Sequence, residues 1–306
     1  GFEVDENQSE ESFLRSILAG YPDRVARRRS DERDRYQLVT GQGAILSRRS
    51  SVYEADWIVA VDVRGGQPGR EAMIHLASRI EAEWLVPDSI EVVHLLDGER
   101  VRAERVERYG ALVLGAHPVQ PDPDRASELL VERFCERGLS GENLRVARRA
   151  HFAGVELEIE SIARSALSGR TEMPDVRIVD WLSWEQRKQL ENGAPSQLEI
   201  PSGRSVKLDY REDGSVVLSA KLQELFGLEE SPKIGRDRTP VTIDLLAPNG
   251  RSVQMTSDLK SFWKTTYPEV RKELRGRYPK HPWPEDPWNA EATAKTKKQL
   301  RRSDRE

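Results

Sequence analysis

"RYQLVTGQGAILS", residues 35–47, alternates apolar and polar side chains on either side of a Gly-Gln-Gly turn at 41–43, the pattern of two short strands joined by a tight bend. Working outward, "DWIVAVDV" (56–63) and "EAMIHLAS" (71–78) repeat the strand signal around the Gly-rich turn "RGGQPG" (64–69). Four or five short strands separated by tight glycine turns predict a small barrel or sandwich rather than a doubly wound parallel sheet. Upstream, Phe13, Leu14, Ile17 and Leu18 recur at helical spacing, and Gly20 with Pro22 ends that helix. The acid-rich residues before it carry no apolar pattern and are expected to be disordered.

Downstream, "SIEVVHLL" (89–96) and "ERVRAERVERYGALVLGAHPV" (99–119) read as strands joined at Asp97-Gly98, with Arg100, Arg102, Arg105 and Arg108 alternating with Glu99, Glu104 and Glu107 as a solvated face. Residues 121–141 read as a helix with Pro123 near its start and Gly138 at its end, and Cys135 falls on its apolar side as a packed thiol. A helical stretch occupies 139–190. A second β segment follows, with turns at Asp213-Gly214 and Asn249-Gly250 and a short helix, "KLQELFGL", inside it. "SDLKSFWKTT" and "YPEVRKELRGRYP" predict two helices, the second opened by a capping box of Thr266 and Glu269 and stopped at Gly276. The expected class is therefore α+β and β-rich: an N-terminal small barrel, a helical middle segment, and a second β-rich domain with flanking helices. The predicted boundaries are a disordered tail at 1–11, a β-rich domain with a closing helix at 12–135, a helical connector at 136–180, a C-terminal domain at 181–288, and a charged tail without structure at 289–306.

A length of 306 residues suits about two domains. With 33% charged residues and a net charge of only -4, any polyanion site has to be a local patch and not a general cationic coat. Cys135 is the single cysteine, so an internal disulfide is excluded; with no long apolar run or leader pattern, the expectation is a cytoplasmic chain without membrane insertion. The start at Gly1 without methionine suggests a tag remnant or a piece of something longer.

Motifs of independent catalysis are absent: there is no GxxxxGK[ST], GxSxG, HExxH or CxxC run. The five histidines are scattered singly, which gives no support to a metal, and the acid pairs Glu229-Glu230 and Glu285-Asp286 sit in polar loops. The basic features remain. "RVARRR" supplies Arg24, Arg27, Arg28 and Arg29, partly neutralised by the acids that follow. Between 255 and 284, Lys260, Lys264, Arg271, Lys272, Arg275, Arg277 and Lys280 face only three carboxylates, the strongest local imbalance in the chain. Arg271 and Arg275 stand one helical turn apart, at a spacing that suits successive phosphates, and Tyr267, Tyr278 and Trp283 are candidate stacking platforms. The same side chains are equally suited to gripping another part of the protein or to simple surface charge.

"GYPDRVARRR" and "YQLVTGQGA", then "LSWEQRKQLENGAPSQLEIPSGRSVKLDY", "KLQELFGLEESPKI" and "FWKTTYPEVRKELRGRYPKHPWPEDP", closely resemble the C-terminal half of bacterial DEAH-box ATP-dependent helicases of the HrpB type. The resemblance covers about 12–135 and 181–288 and is weak across 140–180, where the family has a longer helical stretch. It implies that residues 12 to about 88 form an oligonucleotide/oligosaccharide-binding (OB) fold and that the chain from about 181 is the family's own C-terminal domain. The family's ATP-binding lysine, DEAH box and arginine finger match nothing here, so ATP and Mg are expected of the parent helicase and no cofactor of this chain. The implied role is an accessory region that contacts single-stranded RNA or DNA and packs on the motor domains of the same protein. The alternative is a platform that engages an unknown protein partner without touching nucleic acid.

Overall fold

In the computed structural model, which describes residues 6–29, 33–65, 70–296 and 298–299, β1 (Val25–Arg28) is paired along both edges, with β2 (Arg35–Leu38) on one side and β4 (Trp57–Arg64) on the other. Together with β3 (Gly43–Leu46) and β5 (Ala72–Arg79) these strands close a five-stranded barrel in the order β1-β2-β3-β5-β4, with β3 and β5 parallel and the other pairs antiparallel. Register shifts near Ala60, Asp62 and Val63 bend the β4–β5 pair, as closure of so small a sheet requires. Ala26, Tyr36, Leu38, Ala44, Leu46, Ile58, Ala60, Ala72 and Ile74 fill the interior. The Tyr36 hydroxyl donates to the carbonyl of Ala55 at 2.8 Å, so the one phenol in this core is satisfied.

β4 begins with four buried residues in succession, because its outer face is covered as well: Val25, Trp57 and Val59 pack with Ile80, Leu85 and Leu112 and with Ile17 and Leu18 of helix α1 (Glu6–Gly20). This helix starts within the segment expected to be disordered. Glu11 pairs with Arg15 one turn on, and Glu10 reaches Arg79 of β5 at 2.9 Å, so the acid-rich turn is held by one local cation and one too distant in sequence to be foreseen. Residues 1–5 of that expected tail lie outside the described residues, as do 66–69 of the Gly-rich turn.

β6 (Ser89–Asp97), β7 (Arg100–Tyr109) and β8 (Leu112–Val119) form a separate antiparallel sheet in that order. The barrel is thus complete by Arg79, and the predicted domain of 12–135 contains two sheets. The alternating charges of β7 do lie mostly at the surface, where Arg102 meets Asp97, Arg105 meets Glu107 and Arg108 meets Glu91. Helix α2 (Pro123–Arg137) follows, with Cys135 on its exposed side and not among the packed residues: Ala126, Leu130, Val131 and Phe134 take the buried stripe.

The chain divides into two compact units, Gly1–Leu130 with Ser168–Met173, and Val131–Leu167 with Pro174–Glu306. Most of the predicted connector therefore belongs to the second unit's own core. There α3 (Gly141–Ala153) contributes Val146 and Ala150, α4 (Ile159–Leu167) packs Ile159 and Ile162, and α5 (Trp184–Gly193) buries Leu190. A five-stranded sheet forms the centre, made of β9 (Gln197–Glu199), β10 (Ser205–Tyr210), β11 (Val216–Lys221), β14 (Thr242–Leu246) and β15 (Ser252–Thr256) in the order β15-β14-β11-β10-β9. The two-residue strands β12 (Lys233–Ile234) and β13 (Thr239–Pro240) lie within the connection between the parallel pair β11 and β14.

The two helices expected at 257–279 are one continuous run: α6 (Leu259–Ser261), a π turn at Phe262–Thr266, and α7 (Tyr267–Arg277). Thr266 has helical dihedrals and makes no capping bond, so the predicted capping box does not form; Asp258 caps instead, accepting from the Ser261 amide at 2.9 Å. Packing explains the continuity. Trp263 and Tyr267, whose ring centroids are 5.1 Å apart, are both buried against Phe226 and Phe262, and a break between them would expose one of the two.

Gly110, in the β7–β8 turn, has φ +56°, and an added Cβ would stand 2.6 Å from the Val39 carbonyl oxygen. Gly98 has φ +63° with open space around it. Gly110→Ala is therefore expected to destabilise the first unit by about 2–4 kcal/mol, against about 1 kcal/mol for Gly98→Ala, in urea melts of the two variants.

Candidate nucleic-acid interface

The predicted basic residues separate into two groups, one on each unit. On the first, Arg27, Arg28 and Arg29 are carried together by β1 and its end, and with Gln37, Asp56 and Trp57 they line an open hollow of about 560 Å³. Each guanidinium is already engaged. Arg28 pairs with Asp56, Arg29 reaches Glu71 at 3.1 Å, and Arg24 donates to the carbonyl of Val61 at 2.6 Å. Arg27 donates to the Val113 carbonyl while its guanidinium stands 5.2 Å from the centre of the Trp57 ring. Arg24 and Arg27 are thus held by neutral partners and keep their full charge, whereas Arg28 and Arg29 are offset by carboxylates.

The C-terminal group divides in the same way. Lys260 is paired with Glu230 at 2.8 Å, a contact that lifts the lysine above and holds the carboxyl below its ordinary pKa, and Arg277 lies 3.6 Å from Glu273. Arg271 is internal scaffolding: its Nε donates to the Trp283 carbonyl at 2.9 Å, its second nitrogen to Glu285 at 2.9 Å, and only 22% of its side chain is exposed. Lys264, Lys272, Arg275 and Lys280 are exposed and have no ion pair among the described residues. Lys272 and Arg275, three apart on α7, share a face.

The expected stacking platforms are not available to a ligand. Trp283 is 6% exposed and its indole donates to the Tyr278 carbonyl; Tyr267 is buried, with its hydroxyl on the Pro284 carbonyl at 2.8 Å. Burial holds the Tyr267 phenol well above its usual range. Tyr278 is half-buried at the same core. These rings fasten the Pro-rich run 282–287 to its own domain, and Gly227 and Gln223 continue the fastening by backbone bonds to Pro287 and Thr293. The start of the tail expected to lack structure, through Thr293, is accordingly packed down. Beside it Arg271, Arg275, Pro282, Trp283 and Pro284 line a hollow of about 500 Å³.

The aromatic residues that do face solvent are others: Phe13 and Tyr21 on the first unit, and Trp181 and Trp184 on the second. The signal of the two tryptophans was available in "DWLSWEQRK", where Trp184 lies between Ser183 and Glu185 and Trp181 follows Asp180. No group of three or more metal-ligating side chains occurs among the described residues, and no described helix is long and apolar enough to cross a membrane.

Arg271→Ala is expected to lower the stability of the second unit by about 1–3 kcal/mol, since it strips a charge-assisted bond from the Trp283 carbonyl, while Arg275→Ala leaves it within about 0.5 kcal/mol; urea midpoints separate the two. His281 provides a pH test. Its Nδ1 accepts from the Gln223 amide at 2.8 Å, and burial, aided by Lys221, holds the ring below its ordinary pKa of 6.5. The neutral ring is the native one, so its contribution to stability is present above the unfolded pKa and is lost as pH falls below 6.5 and through the lowered value. Between about pH 7.5 and about pH 5 the wild type should lose more stability than His281→Gln.

Residues 161–287 match the family model described as "ATP-dependent helicase C-terminal". Over 95% of its length the chain is similar to the ATP-dependent RNA helicase HrpB of Escherichia coli K12, at 29% identity, and it spans 40% of that protein. Among solved structures, that of the E. coli DExH-box NTPase HrpB superposes with a TM-score of 0.52 over 93% of this chain and 39% of the other, at 28% identity. A second structure, of the E. coli DEAH/RHA helicase HrpB, gives a TM-score of 0.44 over 87% of this chain and 37% of that one, at 25% identity. The match to the family model begins 20 residues before the start at 181 expected from sequence and takes in most of α4. In sequence along nearly its whole length, and in fold, this chain is similar to the C-terminal part of HrpB helicases.

Proposed function

We propose that this chain is the accessory region of an ATP-dependent RNA helicase and that it contributes sequence-indifferent contacts to single-stranded nucleic acid. In this reading ATP and Mg are bound by the motor portion of the longer protein, since the chain carries none of the phosphate-binding motifs. The observation that carries it is the closed barrel in the order β1-β2-β3-β5-β4 with an arginine-lined hollow against β1 and β2. A five-stranded barrel of this kind is read as an OB fold, whose exposed face tracks oligonucleotides by cations and rings. Lys264, Lys272, Arg275 and Lys280 supply a second set of free cations on the other unit.

A second reading is supported by a different surface. Among the described residues β6 is an edge strand, and it exposes Ile90 (60%), Val92 (51%) and Leu96 as an apolar row on one face, with Leu95 on the other. That row suits packing against the motor domains of the same polypeptide. If it does so, the β6 amides exchange hydrogen more slowly in the longer protein than in this chain; equal rates would remove the reading.

Binding of a labelled single-stranded RNA tests the main proposal. With about four phosphate contacts and a slope of about 0.7 per contact, affinity should fall about 50-fold between about 50 mM and about 200 mM salt. Lys272→Glu with Arg275→Glu should lower that slope by about 1.4 without altering the melt of the domain. Salt-insensitive binding, or a double variant indistinguishable from wild type, would defeat the assignment of the α7 face.

A further inference from the structure

Trp181 and Trp184 are 46% and 68% exposed, in a chain that otherwise buries its large rings in the second unit. The segment that presents them is rigid. Leu182 between them is anchored in the core, and Ser183 caps α5 in a complete capping box with Gln186. Arg187 folds back to donate to the carbonyls of Leu182 at 3.1 Å and Asp180 at 2.8 Å, and the Gln186 amide ties the helix to the Glu156 carbonyl at 3.0 Å. Two flat apolar surfaces are thus held out of a framework in which five hydrogen bonds fix the segment. Core packing does not account for them.

We infer that Trp181 and Trp184 form a base-stacking platform for single-stranded nucleic acid on the second unit, an assignment that rests on the nucleic-acid reading above and names a site for it. Three features favour this occupant over a protein partner. The Lys188 ammonium stands 4.8 Å from the Trp184 ring centre, where it polarises the ring and offers a charge to a neighbouring phosphate. Arg177, Arg187 and Lys188 outnumber Asp180 and Glu185 across residues 177–188, so the surroundings tolerate a polyanion. The rings are bordered by Ser183, Glu185, Gln186 and Lys188 and not by other exposed apolar side chains, whereas the centre of a protein interface is depleted of charge. A ring in a polar setting still stacks on any base, because every base presents a π face.

The test compares a labelled homopolymeric RNA with an abasic oligonucleotide of the same length and charge, on the full chain and on Trp181→Ala, Trp184→Ala and the double variant, with circular dichroism and thermal melts as controls for folding. Both rings are exposed, so the variants should melt as wild type does. Each truncation should weaken RNA binding by about 5- to 140-fold, from about 1–3 kcal/mol per stacked base, and leave the salt slope unchanged because no charge is removed. Wild type should prefer the base-bearing strand to the abasic one, and the double variant should lose that preference. Salt-dependent binding by wild type that the tryptophan variants match overturns the platform and leaves the phosphate reading standing. Absence of RNA binding by wild type at about 50 mM salt overturns both.

Discussion

Competition for cations within the chain governs what this protein can offer a ligand. With 48 lysines and arginines and 52 carboxylates in 306 residues, a guanidinium is free only where no acid of its own fold comes within reach. Arg28 and Arg29 meet Asp56 and Glu71 because β1, β4 and β5 are neighbours in a closed barrel; Arg271 meets Glu285 because the Pro-rich run folds back over α7. Exposed pairs of this type add little stability, with a median of about 0–1 kcal/mol, but they decide which charges remain for a polyanion. Those left over in the basic run of 255–284 are Lys264, Lys272, Arg275 and Lys280, four of its seven cations.

Both units place their aromatic residues by the same rule. A ring with an apolar neighbourhood on two sides is buried and its polar atom is matched to a carbonyl, as in Trp263 with Leu228, Tyr267 with Pro284 and Trp283 with Tyr278. The π turn at Phe262–Thr266 is a consequence: it keeps Trp263 and Tyr267 on one side of a helix that would otherwise have to break between them. Trp184, between Ser183 and Glu185, stays outside, as does Trp181 beside the buried Leu182.

The strands and their turns were legible from residue pattern. Glycine pairs and period-two alternation located β2 to β8 and β10, β11, β14 and β15 closely, since these signals are local. The candidate site was legible only as a composition. Which arginines are scaffold, and that Tyr267 and Trp283 are inside, depends on contacts between segments 12 to 86 residues apart in sequence, such as Arg271 with Trp283 and Arg27 with Val113. The helix through Phe13 and Leu18 was legible, but its first turns from Glu6 were not, because the Glu10 partner Arg79 lies in a distant strand.

By itself the sequence determined the β-rich α+β class, the tight glycine turns, the absence of a phosphate loop, and the family that its closing run resembles. These are properties of neighbours along the chain or of side-chain identity. The tertiary structure alone decided that the barrel closes through the double pairing of β1, that the connector is part of the second core, and that Lys272 and Arg275, and not Arg271, face outward. Each of these turns on which distant groups meet, and a charge or a ring carries no mark in sequence of the partner that will take it up.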